Sequence, residues 1–256
     1  SFDETIVIPE FWVCVAAGFV AQVIDGALGM AYGVTASSLL LAFGIPPAAT
    51  SATVHAAECF TTGASAISHH AFDNIDRALF RRLLIPGIVG AVLGAYVLTS
   101  LPGESLRPYV AAYLLIMGTI IVVKAFKEFP PRAVTTHLGP LGFTGALLDT
   151  MGGGGWGPVV ASTLIVRGNH VRTTVGTVNA VEFFVTVAAS VTFFLTIGLS
   201  NWQMILALAL GGLPAGPVGA WACRHLPVKR LMVIVGLLVI VLSLHTLLKH
   251  FGGGVS

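Results

Sequence analysis

Charge is what this chain has least of. Asp, Glu, Lys and Arg make up 9% of its 256 residues, against 55% hydrophobic residues and a mean hydropathy of +0.91. A soluble domain carries about 25% charge, so there is too little here to keep a globular surface wet. That excludes a water-soluble enzyme and a disordered chain. The net charge of +2 is too small for a polyanion-binding patch, so no nucleic acid is expected as a partner. Cysteine is scarce too: Cys14, Cys59 and Cys223 stand far apart, with neither a disulfide framework nor a zinc spacing. The first ten residues hold Asp3, Glu4 and Glu10 and no basic residue, so they do not read as a secretory signal. The Ser start reads as trimmed, and the glycines at 252–254 as a loose end. The composition is that of an integral membrane protein.

Ten apolar stretches follow one another, and a full crossing needs about 20 residues at 1.5 Å each. Six meet or approach that length: 48–68, 79–100, 108–125, 173–197, 203–222 and 231–248. The stretch 138–166 is broken by Gly152-Gly153-Gly154-Gly155-Trp156-Gly157 into arms about half a bilayer long. It reads as a re-entrant hairpin dipping to mid-membrane. The stretch 10–43, broken around Asp25-Gly26-Ala27-Leu28-Gly29, reads as its counterpart, with two full crossings as the alternative. Basic clusters at Arg77, Arg81 and Arg82, at Lys124, Lys127 and Arg132, at Arg167 and Arg172, and at Arg224, Lys229 and Arg230 then fall on one side. The positive-inside rule puts that side in the cytoplasm and the N-terminus outside, with Lys249 a small violation.

The chain is a duplication. A shift of 124 residues matches Gly18 with Gly142, Asp25 with Asp149, Gly29 with Gly153, Gly33 with Gly157 and Ser38 with Ser162. The same shift matches Thr53 with Thr177, Glu58 with Glu182 and Thr62 with Thr186. Matched turns carry opposite charge, and each half has one hairpin plus three crossings, so the second half is expected to be inverted. The expected architecture is therefore all-α: a first repeat over 10–126 and an inverted second repeat over 138–249. Interrupted helices and inverted repeats are a transporter design, with the site near the midplane. No nucleophile–base motif, phosphate loop or metal-ligand spacing stands out, so neither an enzyme nor a cofactor or metal is expected.

Seven of the eleven acidic residues lie in loops or tails. Asp25, Glu58, Asp149 and Glu182 are the only charges committed to the membrane interior, where each costs a few kcal/mol. Asp25 and Asp149 stand where one half-helix gives way to the next, a place for capping orphan N–H groups or for coupling. Glu58 follows His55 by three residues, and Glu182 follows Asn179 in the same way, so each pair shares a helix face. That polar stripe is either a transport site or interhelical glue. Gly29 and Gly152 to Gly155, with Trp156, fall at the hairpin tips, where backbone N–H groups at half-helix N-termini are suited to a small anion. Ser37, Ser38, Ser162 and Thr163 on the outgoing arms add hydroxyl donors. Four carboxylates repel an anion, so either some are protonated when it binds or they neutralise the helix ends. In the first case Glu58 and Glu182 titrate during transport. His69, His70 and His170 read as solvated or interfacial.

Two tandem copies of Gly-Phe-(x5)-Asp-x-x-x-Gly-x-x-x-Gly, each followed by a Thr-containing helix with Asn or His three before Glu, resemble the sulfite exporter TauE/SafE family. Gly152-Gly-Gly-Gly-Trp-Gly-Pro158 and Val175-Gly-Thr-Val-Asn-Ala-Val-Glu182 carry the resemblance best, over about 11–248. The first half departs, with His55 for Asn and Leu28-Gly-Met-Ala-Tyr-Gly33 for the glycine run. The resemblance implies a secondary transporter of the bacterial inner membrane for sulfite, thiosulfate or organosulfonates such as sulfoacetate. Alternating access with proton-linked export is the expected mode. A passive anion channel and a cation or metal transporter using the carboxylates are the alternatives. Candidate partners are the sulfur oxyanion, protons, membrane lipid and a second copy of the chain as a homodimer.

Overall fold

The computed structural model describes residues 8–127, 136–222 and 228–252, and these are all helical or turn. Glu128, Arg132, Cys223, Arg224 and the glycines at 253–254 lie outside the described residues. The first half runs α1 (Ile8–Leu28), α2 (Tyr32–Ala42), α3 (Pro47–Ala71), α4 (Arg77–Ser100) and α5 (Gly103–Ala125). The second half runs α6 (Leu138–Gly152), a π-helical turn (Gly157–Ala161) leading into α7 (Ser162–Val166), then α8 (Val171–Thr196), α9 (Trp202–Ala222) and α10 (Val228–Gly252).

Local chemistry explains the breaks. Gly29 and Gly153 end α1 and α6 at φ of +66° and +69°, a left-handed conformation that costs glycine nothing. Gly44 and Gly168, also 124 residues apart, turn the outgoing arms at +95° and +98°. Asp76 caps α4 by accepting from the N–H groups of Ala78 and Leu79 at 2.8 and 3.1 Å.

Among the described residues six helices are long and apolar enough to cross a membrane: α1, α4, α5, α8, α9 and α10. The count agrees with the sequence reading, but one member differs. The stretch 48–68 lies within α3, which at 25 residues is long enough but too rich in Thr, Ser and His to meet the apolarity criterion. Its place is taken by α1, a single 21-residue helix that forms the first arm of the 10–43 stretch. The other arms of the two hairpins are short, with 11 residues in α2 and 15 in α6.

The packing is reciprocal between halves. α1 lies along α9, and its counterpart α6 lies along α4. Both pairs run in the same direction, since Gly18 faces Leu208 and Gly26 faces Gly219, while Leu83 faces Gly142 and Leu147 faces Gly94. α3 and α8 pack on each other at the centre, and α5 packs on α10. Apolar side chains such as Ile67, Tyr109, Leu195 and Leu248 point outward, as lipid contact requires. The interior holds Asp25, Glu58, Asp149 and Glu182, all at most 5% exposed.

Loop contacts sort into two faces. Arg107 donates to the Gly44 carbonyl at 2.6 Å, and Asn201 donates to Thr53 Oγ1 at 3.3 Å, joining the turns that carry little basic charge. On the other face Arg172 donates to Asn74 Oδ1 and, at 2.8 Å, to the Phe72 carbonyl. Lys124 and Lys229 line one cavity with His170 on that same basic face.

A buried carboxylate cluster between two hairpin tips

Each hairpin tip is tied by its aspartate. Asp25 Oδ1 accepts from the N–H groups of Ala31 at 2.9 Å and Tyr32 at 3.4 Å. Asp149 Oδ1 accepts from those of Gly155 at 2.7 Å and Trp156 at 3.0 Å. The sequence offsets are the same in both halves. The capping role is therefore present in the structure, and it alters the picture of the tips as anion cradles. These four N–H groups are committed to carboxylates and offer an anion nothing as they stand. The tips also close on each other. A Cβ on Gly33 would lie 2.9 Å from Gly154 Cα, and one on Gly157 would meet Gly29 O and come within 2.7 Å of Met30 Cβ. Glycine is required at both crossings because backbone meets backbone.

The polar stripes of α3 and α8 reach across to the opposite half. His55 Nε2 lies 3.1 Å from Asp149 Oδ2. His55 Nδ1 lies 2.8 Å from the Ser51 carbonyl, which only accepts, so Nδ1 carries a hydrogen. A hydrogen bond between Nε2 and Oδ2 needs one further proton, on one atom or the other. The pair is either imidazolium with carboxylate or imidazole with carboxylic acid, and its net charge is zero in both forms. Ser51 completes the arrangement by donating to the Thr150 carbonyl at 2.6 Å. On the other side Asn179 donates to the backbone carbonyl of Asp25 at 3.5 Å and to that of Val175 at 3.1 Å, and accepts from Ser65 at 2.8 Å. His55 and Glu58 stay electrostatic neighbours on α3, and His55 adds a contact between the halves.

Glu58 sits beside the first tip, its Oε1 3.1 Å from where a Gly33 Cβ would stand. Its electrostatic neighbours are His55, Asp149 and Asp25, and those of Glu182 are Asp25, Glu58 and Asp149. Four carboxylates and one imidazole therefore form one buried cluster. Asp25 Oδ2, Glu58 Oε2 and Glu182 Oε2 find no hydrogen-bond partner among the described residues. Unpaired buried carboxylate oxygens are costly.

Of the other candidates, Trp156 is fully buried and donates to the Val178 carbonyl at 3.1 Å. Ser37 donates to the Gly153 carbonyl, tying α2 to the second tip. Ser38 is buried in α2 with its hydroxyl unpartnered among the described residues. Ser162 donates back to the Pro158 carbonyl and accepts from Lys124, away from the carboxylates. His69 is not interfacial: it is fully buried, donates from Nε2 to the Gly26 carbonyl at 2.9 Å and accepts at Nδ1 from Asn74 at 2.9 Å. Tyr113 of α5 was not legible in the sequence. Its ring packs on Gly152 and its hydroxyl on Gly155, yet its counterpart in the register that joins Gly94 to Gly219 is Leu238, so the repeat gave no signal. Among the described residues no three His, Cys, Asp or Glu side chains are disposed to hold a metal ion.

An all-helical chain with six membrane-length helices around a buried polar cluster, met by two broken-helix tips, defines a multi-pass membrane transporter rather than an enzyme. The sequence model for "Sulfite exporter TauE/SafE" matches residues 14–246, nearly the whole chain, and the chain belongs to that family. It is 41% identical over 244 residues to the "Probable membrane transporter protein YtnM" of Bacillus subtilis (strain 168), an alignment covering 91% of this chain and 81% of that protein. No solved structure matches it.

Proposed function

We propose that the protein is a secondary transporter that exports small sulfur-containing anions, namely sulfite, thiosulfate or organosulfonates such as sulfoacetate, by proton-linked alternating access. The sulfur chemistry rests on family membership. The mechanism rests chiefly on one observation: His55 of the first half meets Asp149 of the second, while Asn179 of the second meets Asp25 of the first. Such reciprocity is what two inverted repeats related by an in-plane pseudo-two-fold axis produce. The matched packing of α1 on α9 and α6 on α4 supports the same reading. So do α1 and α2, which start and finish toward the face of Gly44, and α6 and α7, which start and finish toward the face of Gly168. In this reading both hairpins are re-entrant.

Rocking one repeat against the other separates the tips at Gly33 and Gly154 and opens a path at the midplane. An anion entering there meets four acidic side chains, and a passage is favourable only when some of them hold protons. Glu58 and Glu182, each with an unpartnered Oε2, are the proton carriers in this scheme. The His55–Asp149 pair is already neutral and contributes little repulsion. With the basic face in the cytoplasm, the N-terminus lies outside.

Flux in proteoliposomes tests this, with sulfite, thiosulfate, sulfoacetate, sulfate and acetate, each with and without a pH gradient. Gradient-driven accumulation of one sulfur anion is the expected result. Flux indifferent to the gradient would point to a channel, and no anion flux at all would return the carboxylates to cation chemistry.

A further inference from the structure

A cavity of about 460 Å³ opens on the basic face between the end of α5, the α7–α8 turn and the start of α10. Its inner wall is formed by Leu28 and Met30, the residues on either side of Gly29 at the first hairpin tip. It therefore leads from the loops to the place where the tips meet. Three lysines line it, Lys124, Lys127 and Lys229, and no Asp or Glu is among the described lining residues. Lys124 is half-buried, and its ammonium turns inward to donate to the buried hydroxyl of Ser162. Lys229 is held over the Phe126 ring, 4.5 Å from its centroid. The first residues of α8 and α10 also border the space, adding the positive ends of two long helices.

Apart from Ser162, Asn169 and His170, the rest of the wall is apolar, with Met30, Ile165 and Met232 prominent. Size matters as well. Ligand pockets for small organic molecules span about 300–1,000 Å³, and a water molecule's share of liquid volume is about 30 Å³. A bare oxyanion of four or five heavy atoms leaves most of this cavity empty.

We infer that this vestibule is a binding site for an organic anion with an apolar body, its charged head on Lys124 and Lys229 and its body against Met30, Ile165 and Met232. The inference deepens the transport reading above and rests on it for the cavity's place on the anion's path. An anionic lipid headgroup offers the same head chemistry, and the test separates the two sources.

The test is binding of sulfate and of methane-, propane- and butanesulfonate to the full chain in phosphatidylcholine nanodiscs. Affinity is expected to rise by about fourfold per methylene, the equivalent of about 0.8 kcal/mol, and sulfate is expected to bind weakest. Lys124→Met should weaken butanesulfonate by about tenfold or more, the worth of a charge-assisted hydrogen bond, with Arg77→Ala without effect. In the unmutated protein, butanesulfonate should protect Lys124 and Lys229, but not Lys249, from a water-soluble acetylating reagent. Affinity independent of chain length, unchanged binding by Lys124→Met, or absent protection overturns the site. Protection by phosphatidylglycerol with none by butanesulfonate overturns it in favour of a lipid headgroup. Intact binding with no flux in liposomes supports the site while removing the transport reading; flux without vestibule binding does the reverse.

Discussion

His55 Nε2 in α3 and Asp149 Oδ2 in α6 lie 3.1 Å apart at the centre of the protein, joining the two halves. Asp149 holds its own tip with Oδ1 and the other half with Oδ2. Removing the imidazole strands a buried oxygen, so His55→Ala is expected to cost about 3–5 kcal/mol. Asp149→Asn is milder, because its amide oxygen still caps the tip and its amide N–H can donate to Nε2. The double variant His55→Ala/Asp149→Asn should be more stable than His55→Ala alone. Thermal unfolding in detergent micelles measures all three, and simple additivity would show that the contact does not couple the halves.

The first half offers a contrast. Asn179 reaches only the backbone carbonyl of Asp25, whose Oδ2 has no partner among the described residues. Asp25→Asn is therefore expected to leave the melting temperature nearly unchanged, and Asp25→Ala to cost about 1–2 kcal/mol through loss of the cap. Equal losses for the two variants would mean that the charge, not the cap, is what the fold uses.

Glu58→Gln and Glu182→Gln keep size and hydrogen-bonding capacity while removing the proton site. Each is expected to fold and to flatten the pH dependence of anion flux in proteoliposomes. A variant pair that transports with the unmutated pH profile would rule these residues out as carriers.

Gly154 is packed against the Gly33–Val34 backbone, with a Cβ there coming within 2.7 Å of Val34 Cα. Gly154→Ala should destabilise by about 1–3 kcal/mol, as overpacking does, and should make anion flux a leak indifferent to the pH gradient by holding the tips apart. Gly198→Ala is the control: its φ of +72° makes a side chain strained, but nothing lies within 4 Å. A cost of about 1 kcal/mol, with flux retained, is expected there.

The two loop faces predict labelling from opposite sides. Ser200→Cys, on the face of Gly44 and Arg107, should react with an impermeant maleimide in intact cells. Asp73→Cys and Lys127→Cys should react only after permeabilisation. All three positions are exposed. The reverse pattern would invert the orientation and with it the side on which the vestibule opens.

Much of this protein could be read from the sequence alone, because a membrane makes composition decisive. With charge so scarce, Asp25, Glu58, Asp149 and Glu182 stand out as interior charges, and the 124-residue register pairs them. Glycines at 29 and 153 marked the tips, since only a residue without a side chain adopts that turn cheaply. What the sequence could not decide is which groups meet across the halves. Helical periodicity relates residues three or four apart, so it put His55 and Glu58 on one helix face and named no partner for either across the halves. The actual partner is 94 residues away, brought in by the packing of two hairpins. The same holds for Tyr113 on the second tip, His69 under Gly26 and Lys124 turned toward Ser162. Each of those depends on how helices from distant parts of the chain stack, and that is settled by close backbone approach at glycines, which no local pattern encodes.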